Sequence, residues 1–330
     1  MPGSSSMVVT VQAPARLHFG MLDLRGSLGR RFGGMGAALP TPSLLLEATR
    51  ADDLCAKGPE HDRVLDFARR YLTFYGLSGG AHVRVHRALP AHAGLGSGTQ
   101  LSLATARALA ELYDLPTDVT TLARVVRRAQ RSAIGTWTFA AGGFVLEGGR
   151  RDGSDAPAPL LARFPIPARW HCVVAVPRGA PGVSGEAEVD AFARLPLPPE
   201  RETERVAHIV LMQLLPALAE GDLFTFGAAL TEVQHVTGRW FAPAQGGAFA
   251  PGPGAELIAR MADWGAAGVG QSSWGPAVYG IVSGDDAARR LAERVRGTLG
   301  DAGCVFDGPF RAQGARVWRE PRTAEPRRLT

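Results

Sequence analysis

The run P-A-H-A-G-L-G-S-G-T-Q, Pro90 to Gln100, constrains this chain more than any other stretch. Before it, A-H-V-R-V-H-R-A-L alternates well enough to predict a strand. After it, Leu101 to Leu112 is apolar at helical spacing. Gly94, Gly96 and Gly98 interleave with Ser97 and Thr99 between the two. Backbone N–H groups at a helix start have no internal partner and lie at the positive end of the dipole, so they attract anions. Glycines let that backbone approach closely, and hydroxyls add donors. A tight turn using glycine only for positive φ would account for the same residues. The second hydroxyl, Gln100 and the upstream Pro90 favour the anion site. With no G-x-G-x-x-G and no Gly-Lys-Ser/Thr ending, the loop is neither a dinucleotide fingerprint nor a Walker-type loop.

Charge sharpens this reading. Lys57 is the only lysine among 36 basic residues, and the net charge is +5. Phosphate charge must therefore be met by arginine, backbone and metal. The charges are dispersed and aromatic content is 7%, so nucleic acid is not an expected partner. No apolar run approaches the ~18–20 residues of a membrane span, and no signal peptide opens the chain. Cys55, Cys172 and Cys304 lie far apart, which argues against a cysteine zinc site and for reduced thiols. The expectation is a cytoplasmic protein with a flexible leader over residues 1–6 and a disordered tail over 323–330.

Along the chain, Val8 to Ala13 reads as a strand running into P-A-R-L-H-F-G-M-L-D-L, which carries Arg16, His18 and Asp23. A glycine-rich segment follows, with Arg30 and Arg31 before Gly33 and Gly34, and the pair is read as an anion contact. Helices are expected over Asp62–Tyr75, Asp118–Gln130, Glu200–Ala219, Leu223–Gly238, Glu256–Gly265 and Asp285–Leu299. R-S-A-I-G-T-W-T-F reads as a small-residue turn, P-R-G-A-P-G-V-S-G-E as a loop, and Trp170–Pro177 as a buried strand opening a second lobe. Strands and helices alternate without a β-α-β period, which gives an α+β chain in two lobes, 1–165 and 166–322.

Several segments resemble one superfamily. P-x-H-x-G-L-G-S-G-T-Q is similar to the phosphate loop of the GHMP kinases, R-S-A-I-G…G-G-F to their S-G-I-D…G-G segment, and G-V-G-Q-S-S-W-G-P to their third motif. R-L-H-F-G-M-L-D-L, G-R-R-F-G-G-M-G, G-L-G-S-G-T-Q-L and G-Q-S-S-W-G-P together resemble the β-ribofuranosylaminobenzene 5′-phosphate synthases, over roughly Val8 to Val282. The resemblance implies a GHMP-kinase-like fold, with a ribosomal-S5-domain-2-like lobe followed by a ferredoxin-like lobe, and a homodimer.

Where the superfamily's kinases carry an aspartate, this chain has Thr136, and the preceding A-R-V-V-R-R-A-Q-R has no carboxylate. A general base must reach the hydroxyl it deprotonates, so phosphoryl transfer to an alcohol is disfavoured. The resemblance implies instead that phosphoribosyl pyrophosphate and a small aromatic carboxylate give a C-riboside 5′-phosphate, CO2 and pyrophosphate, as in tetrahydromethanopterin biosynthesis. Gly94, Gly96, Ser97, Gly98, Thr99, Gln100, Arg131, Ser132 and Arg30 or Arg31 are the expected phosphate and leaving-group contacts, with Mg²⁺ on the diphosphate. Arg16, His18, Gln271, Ser272, Ser273 and Trp274 are expected at the aromatic acid. Asp23 and Glu232 are the candidate Mg²⁺ ligands or ribose partners. Three rivals stay open: a C-nucleoside synthase acting on a heteroaromatic (pyrazole) carboxylate, a small-molecule kinase with a relocated base, and a phosphate-ligand sensor.

Overall fold

The computed structural model describes residues 7–179, 182–183 and 185–321; the expected leader and tail lie outside them. The chain opens with a long antiparallel hairpin of β1 (Met7–Asp23) and β2 (Arg30–Ala51). Then come β3 (Cys55–Lys57), α1 (His61–Tyr75), β4 (Gly80–Arg87), α2 (Ser97–Leu112), α3 (Val119–Val125), α4 (Ile134–Ala141), β5 (Phe144–Glu147), β6 (Arg150–Arg151) and β7 (Leu160–Phe164). The second half runs through β8 (Trp170–Pro177), α5 (Glu186–Arg194), α6 (Glu200–Ile209), a π-helical turn (Val210–Leu214), α7 (Leu215–Glu220) and α8 (Leu223–Gln245). It ends with α9 (Pro253–Asp263), β9 (Gly268–Gln271), β10 (Val278–Ser283), α10 (Asp285–Leu299), β11 (Gly303–Pro309) and β12 (Arg316–Pro321).

Two sheets organise these elements. The first has eight strands along the path β12-β1-β2-β4-β3, with β5 and β6 on β2 and β7 on β5. The second is an antiparallel β11-β8-β10-β9. β8 is buried on both faces: Trp170, Cys172 and Val174 join the main core, while Val173 and Ala175 join a smaller core under α9 and α10. The expected boundary after residue 165 falls between β7 and β8, but β12 returns to the first sheet, paired with β1 from Met7↔Pro321 to Gln12↔Arg316. The last strand therefore belongs with the N-terminal sheet rather than with the second lobe.

Several local expectations shift. α2 starts at Ser97 and draws the glycine loop's hydroxyls into its first turn; its Leu101, Leu103, Ala104, Ala106, Ala108 and Leu109 are buried nearly all round. The helix capped by Asp118, which accepts from Thr121 N at 2.8 Å, stops at Val125. Arg127 and Ala129 take φ of 55° and 60°, which no continuing helix allows. The expected turn at Ile134 is helix α4, and α5 stands where no helix was read.

Candidate active site

The mouth of α2 opens into a cleft of about 570 Å³. Gly94 and Gly96 hold φ near +77° and +78°, and no side chain caps the helix, so its first N–H groups face the cleft. Gly94 is required on a second count, since a Cβ there would sit 2.3 Å from the Ser272 carbonyl. Arg16 enters from β1, donates from Nη1 to the Gly94 carbonyl at 2.5 Å, and leaves its buried Nε without a partner. Burial pulls its pKa down to about 10, against the opposing attraction of Glu188.

Arg63 from α1 and Arg128 from the segment after α3 converge on Gly98. A Cβ on that glycine would lie 2.7 Å from Arg63 Nη2 and 3.2 Å from Arg128 Nη2. Arg128 has a buried Nε with no partner and stacks 5.3 Å from the Phe67 ring. Burial, then repulsion from Arg63, lowers its pKa to about 10. Packing guanidinium groups this closely beside a helix N-terminus is costly unless an anion shares the site. Among the described residues the only carboxylate lining the cleft is Glu188, which is bonded to Arg131 and, at 3.1 Å, to Trp274 Nε1.

An aromatic cavity adjoins the cleft, and Ser273 and Trp274 border both. Phe192, Phe241 and Trp274 meet edge to face at centroid distances of 5.7, 5.5 and 4.9 Å. The polar wall is made by His18, Gln234, Thr237, Gln245 and Gln271. Its donors are largely spent on the protein: Gln245 Nε2 on the Gly247 and Ala248 carbonyls, Gln271 Nε2 on Gln245 Oε1 and the Ser273 carbonyl, and the Thr237 hydroxyl on the Val233 carbonyl. The amide oxygens each accept one bond already, Gln234 Oε1 from Gln271 N, Gln271 Oε1 from Ala250 N and Gln245 Oε1 from Gln271 Nε2, so what remains for a ligand is their second lone pairs. His18 is fully buried, and burial, then Arg16, holds its pKa down to about 3.

Of the residues singled out in sequence, Arg16, Gly94, Gly96, Ser97, Gly98, Thr99, Ser273 and Trp274 line the cleft, and His18 and Gln271 line the cavity. Ser272 joins the lobes: its hydroxyl donates to the Gly94 carbonyl at 2.7 Å and accepts from His18 N at 2.9 Å. Gln100 is buried behind the loop, bonded to the Gly135 carbonyl at 2.9 Å. Ser132 faces His18 rather than the cleft.

Other expectations are corrected. Asp23 turns its carboxylate onto the N–H groups of Arg25 and Gly26, at 2.6 and 3.1 Å, because the exit from β1 needs that turn. Glu232 pairs with Arg205 on the outer side of α8. Arg31 donates to the Leu24 carbonyl within its own hairpin loop, and Arg30 to the Gly149 carbonyl in the turn between β5 and β6. None of these four borders the cleft or the cavity. Arg131 reaches the rim only through Glu188 and the Phe192 face, 5.6 Å away. The residues missed are Arg63, Arg128, Glu188, Phe192 and the buried Glu147. The run R-R-A-Q-R is the available signal for Arg128, but it falls within the helix expected over Asp118–Gln130.

Among the described residues no cluster of three or more His, Cys, Asp or Glu is placed to hold a metal, and no helix is long and apolar enough to cross a membrane. One wall carboxylate beside an anion cradle still fits a Mg²⁺ ion carried largely by substrate phosphates.

The model for the GHMP kinases N terminal domain matches residues 62–142, and that for GHMP kinases C terminal matches 214–301. A beta-ribofuranosylphenol 5′-phosphate synthase of Methanothermobacter thermautotrophicus is 35% identical over 323 residues, covering 90% of this chain and 95% of the relative. The chain belongs to that synthase family. A second member, from Archaeoglobus fulgidus, is 35% identical over 83% of this chain and 88% of its own length. Among solved structures, homoserine kinase from Cytophaga hutchinsonii superposes with TM-score 0.70 at 20% identity, over 94% of this chain and 97% of that one. Methanococcus jannaschii mevalonate kinase gives 0.65 at 11% identity, over 92% and 98%. At these identities the kinases share the fold with the synthase family, and nothing about activity follows from them.

Proposed function

We propose that this chain is a decarboxylating C-glycosyltransferase joining the ribose 5-phosphate of phosphoribosyl pyrophosphate to the carboxylate-bearing carbon of 4-hydroxybenzoate or 4-aminobenzoate. The observation that carries the reading is the junction of two unlike compartments at Ser273 and Trp274. One is an anion cleft with Arg16, Arg63 and Arg128 around a helix N-terminus; the other is an aromatic cavity lined by acceptor oxygens. The relatives' name, a ribosyl phosphate on a phenol, supports the same pairing.

The chemistry suits these residues. The C1–O bond breaks, and pyrophosphate leaves with the electron pair. The arginines and the α2 N–H groups stabilise its charge as the sugar becomes oxocarbenium-like. The aryl carbon bearing the carboxylate forms the new bond to C1. Its bond to the carboxylate then breaks, CO2 departs, and the released pair restores the aromatic ring. Only positioning is asked of the cavity, because no proton leaves the reacting carbon. Mg²⁺ bound to the diphosphate would supply further charge stabilisation, and Glu188, the carboxylate on the cleft wall, would join it only by releasing Arg131 or Trp274.

Acceptor oxygens on the cavity wall favour a ring with a hydroxyl or amino substituent over one with a second carboxylate, which weighs against a pyrazole dicarboxylate. Against the kinase reading, Thr136 is buried with its hydroxyl unpartnered, and Glu188 is engaged by Arg131 and Trp274. Removing one charged contact to a phosphate raises the donor's KM roughly tenfold or more. Arg128→Ala and Arg63→Ala should each do so while leaving the KM for the aromatic acid nearly unchanged. An unchanged donor KM in both variants would remove the cleft from the donor site.

A further inference from the structure

Glu147, the last residue of β5, has no place in the chemistry above, yet it is fully buried. Its register partners are Gly34 on β2 and Leu160 on β7, neither of which brings it a charge. Its carboxylate instead accepts from Ala133 N at 3.2 Å and Gly149 N at 3.1 Å, and from the Ser132 hydroxyl. Ser132 Oγ in turn lies 3.2 Å from His18 Nε2 and accepts from Ile134 N at 3.3 Å. His18 Nδ1 accepts from Gly20 N at 3.3 Å.

These contacts admit one consistent arrangement of protons. A hydroxyl has a single hydrogen, and an ionised carboxylate is the stronger acceptor for it. With the Ser132 hydrogen on Glu147, His18 Nε2 must donate. With a backbone N–H aimed at Nδ1, that nitrogen must be bare. The hydrogen bond at one ring nitrogen sets the state of the other.

We infer that Glu147 is a positioning residue: acting through the Ser132 hydroxyl, it keeps the proton of His18, a ring that burial and Arg16 hold neutral, on Nε2, and so fixes the wall that His18 gives to the aromatic cavity. Both ring nitrogens are then occupied, and His18 meets the aromatic acid as an uncharged surface rather than as a base. Its backbone N–H holds Ser272, so the chain from Glu147 to His18 also sets the loop where the two compartments meet. The kinetic side of this inference rests on the transferase reading; the proton arrangement does not.

The test is a long-range ¹⁵N–¹H spectrum of the histidine rings of the full chain at pH 8.5, with His18 assigned from His18→Gln. The wild type should show His18 protonated on Nε2 only. In Glu147→Gln the new amide group must face the N–H of Ala133 or Gly149, and Ser132 loses its ionised acceptor; its hydrogen then competes for Nε2, and the spectrum should shift toward Nδ1–H at the expense of the Gly20 contact. Ser132→Ala should free Nε2 while leaving both backbone contacts of Glu147 in place, and Ser132→Thr should restore the wild-type pattern. Both Glu147→Gln and Ser132→Ala should lower kcat/KM for the aromatic acid roughly tenfold, with the donor's KM held within about twofold.

An unchanged His18 pattern in Glu147→Gln and Ser132→Ala overturns the inference, as does a donor KM that moves as far as that of the acid. If Glu147→Gln does not fold, the Ser132→Ala and Ser132→Thr pair decides it. If the wild type transfers nothing, the transferase reading fails, and the spectra alone judge the relay.

Discussion

Glu147 and His18 titrate in opposite directions, and that gives the chain's pH behaviour a residue-level signature. Burial raises Glu147 from 4.5 to about 7, with its three hydrogen bonds opposing the rise. Burial, then Arg16, lowers His18 from 6.5 to about 3. A neutral His18 therefore contributes stability above pH 6.5 that is lost as pH falls. Glu147 contributes stability below pH 4.5 that is lost as pH rises through 7. From pH 7 to 5 each change is worth about 2 kcal/mol, with opposite sign, so the two nearly cancel. Glu147→Gln removes one of them. Urea unfolding of that variant should show stability falling by about 2 kcal/mol between pH 7 and 5, where the wild type changes little from these groups. A variant as flat as the wild type would mean that His18 is not held neutral. Much of this residue-level detail was beyond the sequence. His18 and the 94–99 loop lie in contiguous motifs and border the two compartments, while Arg16, expected at the aromatic acid, lies at the anion cleft on the Gly94 carbonyl. Asp23 and Glu232 were misplaced because an acidic residue beside a motif looks the same whether it caps a turn or holds a ligand.

Among the elements, α5 depends most on its neighbours. None of its residues is buried, and it is held over the cavity by Phe192, edge-on to Phe32, Phe241 and Trp274, and by the Glu188 link to Arg131 and Trp274. Each aromatic pair contributes roughly 0.5–1.5 kcal/mol beyond its buried area, which is enough to seat one short helix and little against global stability. Phe192→Ala should speed hydrogen exchange over residues 186–194 and raise the aromatic acid's KM severalfold, with the global unfolding midpoint nearly unchanged. Unchanged exchange there would mean that Glu188 alone seats the helix. α5 was illegible because only Val189 and Phe192 mark a large-apolar spacing, and Phe192 is the one residue of the helix that packs against the core. The early stop of α3 was hidden too: Arg127 and Ala129 adopt positive φ in a stretch with no glycine or proline to announce it.

For the molecule as a whole, the α+β chain in two lobes was legible from the order of its strands and helices, and its GHMP-kinase-like form only through the motifs. The return of β12 to β1 was not legible, because strand pairing over more than 300 residues leaves no local trace in sequence. The arrangement places the α2 cradle from the first lobe against the Gln271–Trp274 loop from the second, and the proposed reaction happens at that meeting point. The most direct measurement follows pyrophosphate and labelled CO2 from phosphoribosyl pyrophosphate and Mg²⁺, with 4-hydroxybenzoate, 4-aminobenzoate and a pyrazole dicarboxylate supplied in parallel. Equal release of both products with a hydroxy- or aminobenzoate, and none with the dicarboxylate, is the predicted result. No release with any acid, alongside ADP formed from ATP and an alcohol, would contradict it and return the chain to the kinases.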